Sequence, residues 1–352
     1  MAVARGVQEA MRLPPLPTIR DILRLYRLRA LRNLSQNFLM DQRLTDKIVK
    51  AAGRITNNEV CEVGPGPGGI TRSILNRNPS QLIVIEKDER FMPALELLTE
   101  SCDGRMQVIL GDVLSFDMSK MFSDDKRRSW EESPPRINII GNLPFSVSTP
   151  LIIKWIHAIS ERRNAWTYGR TQLTLTFQKE VAERMVADIM SPQRCRLSVM
   201  CQNWCDVQHK FTIPGRAFVP KPDVDVGVVH FTPLIEPKIP FPFHLVEKVV
   251  RSIFSYRQKY SIRGAETLFP TPIRELLGKK MYQIADIDPT TRPFQLTIEE
   301  FGRLCEAYVS VCDQDPRLYK YNHRGSKKDN ELLLEDNILD EITKMIEDIP
   351  LS

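Results

Sequence analysis

Four short stretches of this 352-residue chain hold residues that could do chemistry. The first is Glu62-Val63-Gly64-Pro65-Gly66-Pro67-Gly68-Gly69, set between an apolar run and a helical pattern. Glycines there let the backbone turn tightly and approach a ligand closely. The second is Glu86, 22 residues after Gly64, where a carboxylate can accept from two ribose hydroxyls. The third is Gly111-Asp112-Val113, in which Asp112 can accept from an adenine amine with Val113 beside the ring. The fourth is Asn142-Leu143-Pro144-Phe145. Taken singly, each acid could be a helix cap or a solvated turn, and a lone glycine loop is weak. As a set, they fit a nucleoside ligand that carries no bound phosphate. No Lys-Ser/Thr pair follows the glycines, which excludes a P-loop. Dinucleotide binding is the rival, since its fingerprint also places an acid about 20 residues on. Pro65 and Pro67 depart from that fingerprint, and the fourth stretch separates the two.

The fourth stretch suits an exocyclic adenine amine. Its lone pair is delocalised into the ring, so the amine is a poor nucleophile. Two acceptors on its two N–H bonds draw the nitrogen toward tetrahedral geometry and free the lone pair. The Asn142 amide oxygen and the Leu143 carbonyl can be those acceptors. Pro144 donates no N–H and fixes the turn that aims the carbonyl. Phe145 offers a face on which a flipped base can stack. Read alone, the stretch is equally a strand exit with a turn proline and a core phenylalanine; its company favours the functional reading. No histidine stands near these motifs, and this chemistry requires none.

The elements that must position these residues are legible as alternating patterns. Val60–Val63, Leu82–Ile85, Met106–Leu110 and Ile137–Ile140 are short apolar runs ending near Gly64, Glu86, Gly111 and Asn142. Helical patterns at Ile70–Leu75 and Phe91–Leu98 lie between them. Strands alternating with helices predict a parallel sheet covered on both faces. Leu173–Phe177, Val207–Ile213 and Val226–Phe231 extend the same sheet. Pro233, Pro237, Pro240 and Pro242 mark a linker, after which Leu245–Tyr256, Ile273–Leu277 and Ile298–Val309 read as helices. The fold class is α/β, a Rossmann-like domain with a small α-helical C-terminal domain. The expected parts are a presequence over 1–27, a ligand-binding domain over 28–234, a helical nucleic-acid-contacting domain over 235–322, and an acidic tail over 323–352.

Composition narrows the setting. The first 35 residues hold seven arginines, no lysine and only Glu9 and Asp21 as acids. That is the composition of a mitochondrial presequence, although Pro14, Pro15 and Pro17 interrupt any helix. From Ile19 to Leu34 an apolar stripe predicts a helix, which could equally be the first helix of the fold. Seven scattered cysteines without a C-x-x-C pair argue against both a zinc knuckle and a disulfide framework. No metal site and no membrane span are expected. Arg194–Arg263 carries eleven cations against five acids, a net of +6, with Tyr256 and Tyr260 among the last of them. Cations mixed with aromatics suit a nucleic-acid backbone and splayed bases. Residues 323–352 carry a net of −4 and no assigned function.

Gln36-Asn37-Phe38-Leu39, Glu62–Gly69, Glu86, Gly111–Val113, Asn142–Phe145 and Phe218-Val219-Pro220-Lys221-Pro222 together resemble the ribosomal RNA adenine dimethyltransferase family. The resemblance runs from about Leu13 to Tyr321, and the arginine-rich start points to its mitochondrial members. It implies an S-adenosyl-L-methionine-dependent methyltransferase domain. The implied donor site is Gln36, Asn37, Leu39, Gly64, Gly66, Glu86, Lys87, Asp112, Val113 and Asn142. The implied catalytic group is Asn142, Leu143, Pro144 and Phe145. The implied reaction is dimethylation of N6 on two adjacent adenines in the 3′-terminal hairpin loop of 12S rRNA. Matrix localisation, a monomer and a role in small-subunit assembly follow from the same resemblance. RNA contacts are expected from Phe218, Lys221, Arg251, Arg257 and Lys259, with the Phe218–Pro222 loop framing the target base. Asn142 stands where DNA enzymes carry Asp. Val226-Gly227 departs from relatives that often have a serine after Pro-x-Val. The alternatives are a DNA adenine methyltransferase, and a DNA-binding transcription accessory factor whose partners are mitochondrial DNA and the transcription machinery.

Overall fold

A computed structural model describes residues 13–30 and 36–325 of the chain. The described residues divide into two compact units. One runs to Glu183 and resumes over Asp206–Ile235; the other comprises Arg184–Cys205 and the chain from Glu236 onward.

The first unit begins with helix α1 (Ile19–Leu25), strand β1 (Phe38–Leu39) and helix α2 (Gln42–Ala51). Alternation follows: β2 (Glu59–Val63), α3 (Gly69–Leu75), β3 (Gln81–Glu86), α4 (Met92–Glu100), β4 (Met106–Leu110), β5 (Ile137–Gly141), α5 (Phe145–Ser160) and β6 (Gln172–Gln178). Helix α6 (Lys179–Met185) and helix α7 (Arg196–Trp204) lead to β7 (Cys205–Ile213), β8 (Phe218–Val219) and β9 (Val226–Pro233). Seven strands form one sheet in the order β4-β3-β2-β5-β6-β9-β7. From β4 to β6 the neighbours are parallel, and β9 runs antiparallel to β6. Every residue of β2 and of β5 is buried, as a central strand with both faces covered requires. On the edge strand β4 Gln107 and Leu110 are exposed.

Strand order reverses between β2 and β5, where open α/β sheets bind ligands beyond the carboxyl ends of the strands. Register brings those ends level: Val63 pairs with both Ile85 and Gly141, and Glu86 pairs with Leu110. The four motifs therefore leave the sheet along one edge.

Residues 13–27, expected within a presequence, fold against the first unit. Thr18 and Asp21 form a capping box that starts α1. Ile19 and Ile22 are buried, while Arg20 and Arg24 on the other face are exposed. Burial of each such isoleucine contributes about 1.5–3 kcal/mol. Leu13, Leu16 and Leu23 pack on the same core, and the Arg72 guanidinium donates to the Pro17 carbonyl. The helix is shorter than the stripe predicts, because Arg27 turns to a positive φ of 52° after Leu25. Residues 1–12 and 326–352, with the start of the expected presequence and nearly all of the acidic tail, lie outside the described residues.

The second unit is helical: α8 (Phe243–Ile253), α9 (Ser261–Ala265), α10 (Arg274–Ile284) and α11 (Ile298–Gln314). The half-buried Phe254 stacks at 5.6 Å on Phe301, which is in the unit's core. It also contains α7, which the expected boundary at 234/235 leaves with the sheet. The reason is local. Trp204 packs on Phe243, and the Asn203 side chain accepts from the Ile239 backbone at 2.6 Å.

Candidate active site

One cavity of about 530 Å³ opens along the carboxyl edge of the sheet. That is the size of a small-molecule site. Its floor is the glycine loop after β2. Gly64, Gly66 and Gly68 have φ of +68°, +54° and +87°, conformations that L-residues with a side chain adopt only under strain. A Cβ on Gly64 would lie 2.5 Å from the end of the Leu143 side chain, so any side chain there would force Leu143 to shift.

Glu86 closes one side. One of its oxygens (Oε2) accepts from the Gly66 N–H at 2.9 Å, and the other (Oε1) accepts from Lys87 and Asp88 N–H at 2.8 Å each. The acid thus clamps the loop besides facing the cavity. Burial pushes its carboxyl above the ordinary range, and the three N–H groups oppose that shift. Asp112 is held differently. Lys87 Nζ lies 2.8 Å from its Oδ2, and Leu114 N–H donates to its Oδ1 at 2.9 Å. The Lys87 ammonium keeps this carboxyl below the ordinary range. Val113 is buried beside it.

The segment before α2 forms the roof. Phe38 and Leu39 pair antiparallel with Val219 and Phe218. The Phe38 ring meets Phe91 edge-on at 5.6 Å. Gln36 lines the cavity, and its amide is anchored: it donates to Asp88 at 2.9 Å and accepts from Arg90 at 3.3 Å. Asn37 lines the same wall.

The opposite side is the Asn142–Phe145 turn. Asn142 Oδ1 accepts from the Thr176 hydroxyl at 2.7 Å. Leu143 is buried against the loop, Pro144 caps α5, and Phe145 is half-buried at its first turn. All four line the cavity. Phe218 was expected to contact RNA in the loop that frames the target base. Its ring is only 3% exposed and belongs to the core, so it presents itself as cavity wall. Lys221, three residues on, is exposed.

The remaining expected RNA residues lie in the second unit. Arg251 is exposed at the end of α8, and Lys259 is exposed with Arg257 half-buried in the turn that follows. Tyr256 and Tyr260 in that turn are 46% and 50% exposed.

A sequence model of the ribosomal RNA adenine dimethylases matches residues 27–305. The chain belongs to the ribosomal RNA adenine dimethylase family. It is 59% identical to the human protein named mitochondrial dimethyladenosine transferase 1, over 92% of this chain and 94% of that one. The protein of the same name from Drosophila melanogaster is 52% identical, over 92% and 97%. Among solved structures, a dimethyladenosine transferase from Plasmodium falciparum aligns with a TM-score of 0.56 at 22% identity, over 76% of this chain and 95% of that one. The 23S rRNA methyltransferase ErmE aligns at 0.54 and 19%, over 77% and 98%. These two carry the fold: a Rossmann-like methyltransferase domain.

The family's methyl donor, S-adenosylmethionine, can be tested against the cavity chemically. A nucleoside sulfonium needs acceptors for its ribose hydroxyls and adenine amine, and no phosphate-binding cation. Glu86 and Asp112 supply the acceptors, and the ammonium of Lys87 beside them is already paired with Asp112. The residues fit. Several residues at the site had no role assigned from sequence. Glu62 lines the cavity fully buried, accepting from the Thr71 hydroxyl at 2.6 Å, and burial pushes its carboxyl up to about 8. Asp88 and Arg90 anchor Gln36. The charged run Glu86–Arg90 was a signal for them; Thr176 had none.

Proposed function

We propose that the protein transfers methyl groups from S-adenosylmethionine to N6 of two adjacent adenines. The proposed site is the 3′-terminal hairpin loop of 12S rRNA in the mitochondrial matrix, and the mark supports small-subunit assembly. Membership in the family and the mitochondrial relatives support the reaction class and the organelle. One observation carries the mechanism: the carboxylates suited to a nucleoside and the Asn142–Phe145 turn suited to an amine face a single cavity.

Glu86 holds the donor ribose through its carboxylate, and Asp112 with Val113 holds the adenine. Gly64 and Gly66 let the backbone lie against the ligand. The bound donor supplies an electrophilic methyl on sulfonium. Asn142 Oδ1 and the Leu143 carbonyl accept from the two N–H bonds of the target amine and turn its lone pair toward the cavity. Phe145 stacks on the flipped base. Held there, the donor would give its methyl to nitrogen as its C–S bond breaks, leaving a neutral thioether; alignment of the amine by these residues is what the transfer depends on. The proton would then pass from nitrogen to water, since the methylated ammonium is strongly acidic. Repetition on the monomethylated amine presents one N–H in place of two, so one of the two acceptors suffices. Phe218 forms the wall on the target side, and Arg251, Arg257 and Lys259 bind phosphates.

The test is incubation with labelled donor and either the 12S hairpin or duplex DNA. Label should enter only the hairpin. Asn142→Ala should retain donor binding and lose transfer. Loss of both together would reduce Asn142 to a cofactor-site residue, and label in duplex DNA alone would reject the RNA substrate.

A further inference from the structure

We propose that Thr176 is a positioning residue for methyl transfer: its hydroxyl holds the Asn142 amide so that the oxygen, not the NH2 group, is the end fixed for the target amine. The inference rests on the reading of Asn142 as an acceptor.

The sequence separates the two residues by 34 positions; the sheet joins them. β6 lies parallel beside β5, pairing Gly141 with Leu175, so the residue after each reaches the same level. Thr176 is fully buried and Asn142 lines the cavity, with 2.7 Å between Oγ1 and Oδ1. Thr176 does not line the cavity, so it acts from behind.

An asparagine amide can flip by half a turn at almost no steric cost. Its two ends then exchange an acceptor for two donors. Donors facing the donors of an amine would repel it. The Thr176 hydroxyl breaks the symmetry by giving its single proton to Asn142 Oδ1. In the flipped amide, NH2 would face the hydroxyl and the buried proton would lose this acceptor, which is unfavourable. The oxygen keeps a second lone pair for the amine.

The anchor is stiff. Thr176 is β-branched, with restricted χ1. Its backbone sits opposite Val228 of β9, so the neighbouring strand holds it. A valine fills the same space without the proton. Serine keeps the proton and loses only a methyl.

The experiment compares wild type, Thr176→Val and Thr176→Ser on the 12S hairpin with S-adenosylmethionine. Thr176→Val should lower kcat about ten- to a hundredfold, the scale of a misplaced catalytic group. Its hairpin KM and donor Kd should stay within about twofold, and Thr176→Ser should recover most of the rate. A readout independent of turnover is the side-chain amide signal of Asn142 in an ¹⁵N–¹H spectrum, identified by its absence in Asn142→Asp. It should move in the valine variant and return in the serine variant. Wild-type turnover by Thr176→Val, or a serine variant as slow as the valine one, would overturn the proposal. So would an amide signal indifferent to Thr176→Val. Should valine not fold, Thr176→Ala takes its place against serine. An inactive wild type would instead defeat the function proposed above, and the amide signal would still report on the hydrogen bond.

Discussion

Glu86 does two things with one carboxylate, and their combination has a pH signature. It accepts from Gly66, Lys87 and Asp88 N–H, and it is proposed to accept from the donor ribose. Only the ionised form accepts fully. Burial raises its pKa, so on acidification the protonated form accumulates earlier than for an exposed carboxylate. Asp112 is shifted the other way by Lys87 and stays ionised in that window. Donor affinity should therefore weaken as pH falls, beginning above the ordinary carboxylate range. Calorimetry in a Glu62→Gln background, which removes the other buried acid of the cavity, should show this. Glu86→Gln should bind weakly and without that slope. A flat profile with Glu86 intact would remove it from the ribose site. Glu86, Asp112 and Asn142 were legible in the sequence because each follows an apolar run and strand ends collect at one sheet edge. Thr176 was not. Its role depends on which strands become neighbours, and a threonine within a β-rich run is ordinary.

At the scale of elements, the central device is the close approach of the loop after β2 to the turn after β5 across the reversal of strand order. Gly64→Ala attacks it directly. A positive φ costs a side-chain-bearing residue about 1–2 kcal/mol, and the added Cβ would lie 2.5 Å from Leu143. Strain of that size predicts a lower melting temperature, and donor binding should weaken as the loop shifts to relieve it. Unaltered affinity would mean that the loop relaxes away from the turn without consequence. The strands themselves were readable, since Val/Ile runs at regular spacing leave few alternatives. The β1–β8 pair was not: it joins Leu39 to Phe218 across about half of the chain, and that pairing buries Phe218 as a wall of the cavity. Periodicity also did not show that α7 packs with α8. That depends on Trp204 and Asn203 meeting Phe243 and Ile239.

For the whole molecule, the proposed chemistry and the proposed RNA contacts fall in different units. The sheet unit holds the cavity, while Arg251, Arg257, Lys259, Tyr256 and Tyr260 belong to the helical unit. Arg257→Glu with Lys259→Glu should weaken hairpin binding and reduce the salt slope by about one for each phosphate no longer neutralised. Donor affinity should not change. An unaltered salt titration would place the RNA elsewhere. The position of net charge, rather than its total, suggested these residues in sequence, because +6 falls within Arg194–Arg263 and aromatics interrupt its last part. Two methyl groups on N6 block the Watson–Crick edge and stop a polymerase. The direct measurement is primer extension across the 12S 3′ hairpin after depletion of the protein and re-expression of wild type or Asn142→Ala. Wild type should restore the stop at both adjacent adenines, and Asn142→Ala should not. A stop that persists on depletion, or that Asn142→Ala restores in full, would contradict the account.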